Sequence, residues 1–558
     1  MVMAPAMSRH LLRVDGRHVH YRRAGSGPPI LVLPATNSAR PVLRYVEAFS
    51  RDYTVLLFDT PGYGLSDPLA MAAPSAADYA DALAETLDVL GLRRCGVLGS
   101  HGGATFALAL AQRHPARVAA LAIDEHPAYT PAEVADMLAH YLPPFVPVWN
   151  GVHLADFWLR YREQAVFRPW NRPAKDHRIA GDARDLDYIQ DVCNIQFGAG
   201  SSYPLAYKAS LNSDGVGAAE GLKMPAIIAH RRDDVFMQAL RHAKALPKSV
   251  AVDLFPLDEA VPRYTAFFAE RMQGVPAFAP PSAKPANEPT IRRDMMRIGG
   301  SDVLVRSAGR TAAQAVLLVP RLPGGASGLE ALMVDLGRDR FVVAVDLPGN
   351  GDSTADGATL TVPAYAGLLA ALADVLGLRV LDVFAHNGGG VVAAALAAAR
   401  PGLVRQLVLD SPPLLDSALR AAFQTAHAEA IVPRPDGAHL LAVWRAIRNE
   451  QLFWPWFDES PAAVRRIEAD LDPVRLNARV VDVLRQHRSH AAVGQAVFGF
   501  PLAETLAALT APVTIGWSEN DVFAETVAEA GSFGLSVVEH APGPDGQIAF
   551  ARAALKVG

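Results

Sequence analysis

At 558 residues the chain is longer than one hydrophobic core usually supports, so two domains are expected. With 51% hydrophobic residues, 20% charged residues and a formal net charge of −5, it has the composition of a well-packed globular protein and no basic surface for nucleic acid or anionic membrane. Its two cysteines, Cys95 and Cys193, lack a CxxC neighbour, which argues against a disulfide framework or a cysteine-rich metal site and fits a reducing cytoplasm.

The opening stretch MVMAPAMSRHLLRVDG has no charged segment followed by a long apolar run, so no secretory signal is expected. No later run approaches the length of a spanning helix. PPILVLPA from Pro28 and TVLLFDT from Thr54 are short Val/Ile/Leu-rich runs bounded by turn residues, as buried parallel strands require. RCGVLG from Arg94 is a third strand, followed at once by glycines and by a helix, ATFALALAQRHP, that stops at Pro115. VAALAID ending at Asp124 and PAIIAH ending at His230 are further strands. This alternation excludes a β-propeller or sandwich and predicts an α/β fold, a doubly wound sheet with its working loops at the strand C-termini.

The same series recurs at an offset of 286 to 287 residues. RRCGVLGSHGGATFALALAQRHPARVAALAID matches LRVLDVFAHNGGGVVAAALAAARPGLVRQLVLD, setting Gly102 opposite Gly388 and Asp124 opposite Asp410. FDTPGYGLSD from Phe58 matches VDLPGNGDST from Val345. MPAIIAHRRDDVF matches APVTIGWSENDVF and places Asp234 opposite Asp521. Between the halves, residues 274–290 are rich in Pro and Ala and lack periodicity, as an extended linker would. Two domains, 1–273 and 291–558, follow, each long enough to be complete, as in a fused duplication that leaves intramolecular pairing of the halves open.

An apolar strand with a small-residue loop, then DxPGxG, then strand, glycine-rich turn and helix, then a late strand ending in Asp: this order resembles the α/β-hydrolase superfamily, over nearly the whole chain and twice. D-T-P-G-Y-G-L-S-D is similar to a signature of its cofactor-free esterase, dehalogenase and epoxide-hydrolase branch. In that fold the nucleophile tops a sharp turn that needs small residues two before and two after it. With His101 at the apex the flanks are Gly99 and Gly103; with Ser100 there, the first flank becomes Leu98, which is too large. The second half puts Asn387 at the apex, between Ala385 and Gly389. His101 is therefore favoured, with Ser100 as the one-residue alternative.

The resemblance implies Asp234 and Asp521 as the acids after the late strand. A histidine should follow in a loop like PGxGH, but those regions read LFPLDEAVPRY and HAPGPDGQIAF. His540 precedes the loop and reads as a strand-end residue, and His386 as an ordinary turn residue. Each half thus keeps the acid, lacks the base and has replaced the nucleophile. His101 is expected to donate to Asp234 and present its other nitrogen to the pocket, a fixed tautomer suited to a general base. Gly102 and the loop Pro34-Ala35-Thr36 are the expected oxyanion donors. In the second half Asn387 cannot act as a base and is expected to contact Asp521. Asp124 and Asp410 read as structural or spare acids, and His126 as a pocket-edge residue.

Long insertions at about 127–222 and 412–508 are expected to form helical caps. GVHLADFWLRYREQAVFRPW from Gly151 and GAHLLAVWRAIRNEQLFWPW from Gly437 share eight of twenty positions, against about one by chance. Trp158 and Arg162, like Trp444 and Arg448, are four apart and share a helix face, which suits a stacked latch or, for Arg162, a substrate-carboxylate contact. His153 and His439 are outside candidates for the missing histidine. The cap and the His/Asn elbow together resemble a little-characterised bacterial branch of the superfamily, implying a small, largely apolar substrate. No GxGxxG after a first strand, P-loop or HExxH motif points to a cofactor or metal. The expected function is hydrolytic or lyase-like chemistry at a carbonyl compound by His101. The alternatives are a small-molecule binder or sensor, or a scaffold.

Overall fold

The computed structural model describes residues 7–36, 38–125, 129–179, 181–214, 217–219, 222–231, 250–279, 290–355, 357–528 and 536–555. The chain divides into two compact units: unit 1 is Met1–Val146 with Asp156–Pro289, and unit 2 is Pro147–Ala155 with Thr290–Gly558. A short segment of the first cap is thus counted with unit 2, which the sequence repeat does not suggest.

Unit 1 holds an eight-stranded sheet: β1 (Ser8–Val14), β2 (Arg17–Ala24), β3 (Pro29–Leu33), β4 (Thr54–Phe58), β5 (Cys95–Ser100), β6 (Val118–Asp124), β7 (Ala226–Arg231) and β8 (Val250–Phe255). Their spatial order is β1-β2-β4-β3-β5-β6-β7-β8. The hairpin β1–β2 is antiparallel, β2 runs antiparallel to β4, and β3 to β8 pair in parallel. β3, β4 and β5 are buried along their whole length, which explains why they read as continuous apolar runs and not as alternation.

Unit 2 repeats the order with β9 (Ile291–Ile298), β10 (Ser301–Ala308), β11 (Ala315–Val319), β12 (Phe341–Val345), β13 (Leu381–His386), β14 (Val404–Asp410), β15 (Val513–Trp517) and β16 (Ser536–Glu539). Helices fill the interval between the sixth and seventh strands in both units, from Pro131 to Leu211 in the first and from Ser417 to Ala507 in the second. Among the described residues, no helix is long and apolar enough to cross a membrane.

The aspartate of each DxPGxG turn is a structural anchor. Asp59 lies 2.8 Å from His20 Nδ1 and accepts from Leu65 N, and Asp346 accepts from Arg306 and from the amide of Ala326. A carboxylate that accepts several fixed donors stays ionised while buried, and Asp59 is held well below the usual carboxylate range by His20, with help from Arg22 and the Leu65 amide, against the opposing effect of burial.

Candidate functional site

Register brings the chemistry to one edge of each sheet. β5 pairs with β6 so that Ser100 lies beside Asp124, and β13 pairs with β14 so that His386 lies beside Asp410. These are the last residues of four parallel strands, at the carboxyl edge where α/β folds expose their loops.

In unit 1, His101 follows β5 with φ 51° and ψ −120° and opens the elbow helix Gly102–Arg113. A non-glycine residue at positive φ is strained and must be held by its surroundings. The His101 amide donates to Asp124 O and its carbonyl accepts from Ala104 N. Gly103 is needed because a Cβ there would fall on the carbonyl oxygen of Leu33, where helix and β3 meet backbone to backbone. Ser100 is the buried last residue of β5. Its Oγ lies 3.1 Å from His101 Nδ1 and 3.2 Å from Asp124 Oδ2, so the hydroxyl joins the imidazole to the carboxylate. Tyr264 OH donates to the other oxygen of Asp124 at 3.1 Å.

His101 lines a cavity of about 390 Å³ together with Ala35, Thr36 and Gly102. Thr36 lies against Gly102, and its side chain hydrogen-bonds Tyr207, which also bonds Tyr161. Much of the remaining wall is apolar or phenolic, from Met137, Tyr141, Ile189 and Leu211. Burial pushes the Tyr207 phenol up to about 12, so it stays protonated and can donate.

Unit 2 has the same backbone with different chemistry. Asn387 sits at φ 52°, its amide donating to Asp410 O. Its side-chain Oδ1 accepts from the following amide, Gly388 N, at 2.8 Å. Asp410 gathers three side chains: His386 Nδ1 at 3.0 Å, His540 Nε2 at 2.8 Å and Gln547 Nε2 at 2.6 Å. Burial alone would raise the Asp410 carboxyl, but the hydrogen bonds and charge of His386 and His540 hold it well below the usual range. His540 moves up correspondingly: burial opposes its charge and Asp410 overrides it. Asp521 stands close by, pushed up by burial and by the charge of Asp410. Ligand-type atoms of Asp410, Asp521 and His540 lie within 4.8 Å of one another. His540 Nε2 and Asp410 are already in direct hydrogen-bond contact, so an ion bridging them would have to displace the proton between them.

A model of the alpha/beta hydrolase fold family matches residues 28–147 and 314–510, one stretch in each unit. The chain belongs to the alpha/beta hydrolase fold family. A curated relative, the 2-hydroxy-6-oxononadienedioate/2-hydroxy-6-oxononatrienedioate hydrolase of Paraburkholderia phymatum, is 34% identical over 111 residues, 19% of this chain and 38% of the relative. The 2-hydroxy-6-oxo-6-phenylhexa-2,4-dienoate hydrolase of Comamonas testosteroni is 30% identical over 108 residues, 18% of this chain and 37% of the relative. The chain therefore spans well under half the length of these curated relatives. Among solved structures, epoxide hydrolase A from Mycobacterium thermoresistibile matches with TM-score 0.37 at 19% identity, covering 45% of this chain and 90% of that one. Potato epoxide hydrolase I matches with TM-score 0.34 at 19% identity, covering 45% and 92%.

Several expectations for this alpha/beta hydrolase fold chain need correction. Asn387 does not pair with Asp521: its side chain turns back to Gly388 N, while Asp521 accepts from Ser518 N at 2.8 Å and caps its own turn. His386 is the last residue of β13 and not a turn residue, and His540 follows the end of β16 as expected; both hydrogen-bond Asp410. Asp124 and Asp410, read as structural or spare acids, accept hydrogen bonds from the side chains around them: Ser100 and Tyr264 in unit 1, His386, His540 and Gln547 in unit 2. In the first cap, Trp158 is fully buried and Arg162 is partly exposed and does not line the cavity. The guanidinium set among aromatic rings is that of Arg160, over Tyr141, Phe157, Tyr161, Trp170 and Tyr203. The arginine on the cavity is Arg168, which donates to Tyr141 OH and Tyr129 OH. In unit 2 the Trp444 indole N–H donates to Trp149 O, and Arg448 is partly exposed. His153 and His439 do not supply a base from above, for each pins its own loop through Nδ1, accepting from Val148 N and Arg434 N. Asp234 and His126 lie outside the described residues.

Proposed function

We propose that unit 1 is a cofactor-independent enzyme acting on a small, largely apolar carbonyl compound, with His101 as general acid–base in place of a serine triad. What supports this is the position of one side chain: an imidazole at a strained elbow, on the wall of a cavity of about 390 Å³, joined through Ser100 Oγ to the buried Asp124. In the hydrolytic form, His101 takes a proton from water as the water oxygen bonds to the carbonyl carbon and the carbonyl electrons move to oxygen. Collapse then expels the leaving group, which takes the proton back from the imidazolium. The amides around Thr36 and Gly102 would receive the oxyanion.

The relatives named as hydrolases of 2-hydroxy-6-oxo dienoates make a C–C or ester-like bond beside a ketone a reasonable class to test. Asn387 has no base to offer, and its own side chain already engages the amide of Gly388, so the proposal confines this chemistry to unit 1. The test is turnover of aryl esters, thioesters, lactones and β-diketones by the full chain beside His101→Ala and Asn387→Ala. The expected result is a loss of ~10²–10⁴-fold in the first variant and little change in the second. Turnover that survives His101→Ala overturns the mechanism. Specific binding of these compounds with no conversion would instead support a binding or sensor role.

A further inference from the structure

Unit 2 has a cavity of its own, about 200 Å³, between the loop after β11 and the helices that follow β14. Arg321 and Arg479 both line it, and both bond the same oxygen of Glu450, Arg321 at 2.8 Å. Two guanidiniums thus share one carboxylate, and a cation in a desolvated wall calls for a partner. Among the described residues, Glu450 is the side chain that hydrogen-bonds the two guanidiniums. His427 and His490 are pushed down by burial, His490 to about 3, so both are neutral at physiological pH. Asp482 is engaged by Ser327 Oγ and by Arg485, and burial pushes its carboxyl up. Asp521 favours the Arg321 cation by its charge but forms no hydrogen bond to it, and burial and Asp410 push its own carboxyl up. Arg321 feels the shortfall, held down to about 10 by burial and by Arg479.

Four aromatic side chains, Phe423, Trp456, Phe498 and Phe523, line it together with aliphatic ones such as Leu322 and Ile447, and His386 faces the same space with Nδ1 fixed on Asp410. We infer that unit 2 binds a small organic acid, its carboxylate on Arg321 and Arg479 and its apolar body against these four rings. A bidentate guanidinium contact with carboxylate is the geometry arginine is built for. This site is separate from His101, and its fate does not depend on the proposed chemistry of unit 1.

The experiment is calorimetric titration of the full chain with 4-phenylbutanoate and, as an uncharged counterpart, 4-phenylbutanamide. The acid is expected to bind once per chain with a Kd below ~1 mM, and the amide about tenfold more weakly. Arg321→Gln is expected to weaken acid binding about tenfold, Arg321→Lys to restore part of it, and His101→Ala to leave it unchanged. Glu450→Gln is expected to tighten it severalfold, because it frees both guanidiniums; this opposite sign keeps the test decisive if an arginine variant folds poorly. Equal binding of acid and amide, an unchanged Kd in Arg321→Gln and Glu450→Gln, or no binding at ~5 mM acid would overturn the inference.

Discussion

His101 and Asn387 occupy equivalent backbone positions and differ in one property that matters for chemistry: an imidazole ring nitrogen can accept a proton and an amide nitrogen cannot. Ser100 tests which neighbour matters. If it only bridges His101 to Asp124, Ser100→Ala removes two hydrogen bonds but only ~1 kcal/mol of support for the imidazole and lowers kcat/KM about five- to tenfold, whereas if Ser100 is the nucleophile the variant loses activity altogether. Asp410 is the corresponding test in unit 2. Asp410→Asn strands two histidines and a glutamine around an uncharged group and should destabilise unit 2 by ~3–5 kcal/mol, read as a lowered Tm at pH 6. The pH dependence has two sides. Asp410 is held below its unfolded value, so its contribution is present above the ordinary carboxylate range and is lost on acidification below it. His540 is raised above 6.5, so its contribution is full below that pH and is lost as pH rises through its folded value. The Tm gap between wild type and Asp410→Asn should therefore be widest between these limits. A gap that stays constant from pH 3 to pH 9 would contradict the pairing.

At the scale of elements, the elbows are where helix and strand meet without side chains between them. A Cβ on Gly103 would overlap Leu33 O at the end of β3, and one on Gly389 would overlap Pro320 O just past β11. Gly103→Ala should therefore lower the Tm of unit 1 and Gly389→Ala that of unit 2, each by several kcal/mol of stability, and a native Tm in both would show that the helix start can shift. The strands and elbows were legible from composition because a buried parallel strand needs an unbroken apolar run and a tight turn needs small flanks. The caps were legible as helices, but which face each side chain takes was not. Trp158 and Arg162 share a helical spacing, yet the ring is buried and Arg160 carries aromatic contacts, three of them, Tyr141, Trp170 and Tyr203, from other segments of the cap.

At the scale of the whole molecule, Pro147–Ala155 belongs to unit 2 although it lies in the first half of the sequence. Within unit 2, His153 Nε2 lies 2.9 Å from Asn477 Oδ1, and Trp444 donates to Trp149 O. Gly151, at φ 75°, leaves no room for a Cβ beside the Trp444 indole. A fragment covering 290–558 alone should therefore unfold at a lower temperature than unit 2 in the full chain, and Gly151→Ala in the full chain should lower that same transition. If the fragment matches the full chain, the segment contributes nothing to unit 2. The sequence by itself pointed to two units of one alpha/beta fold and to the position of their elbows, because these follow from local periodicity, turn sterics and a repeat at an offset of 286 to 287 residues. Only the tertiary structure decided that Ser100, His386 and His540 meet the aspartates of β6 and β14, and that Arg321 shares Glu450 with Arg479. Those partners lie 24 to 130 residues apart, and strand register and cap packing, not spacing along the chain, set their distances.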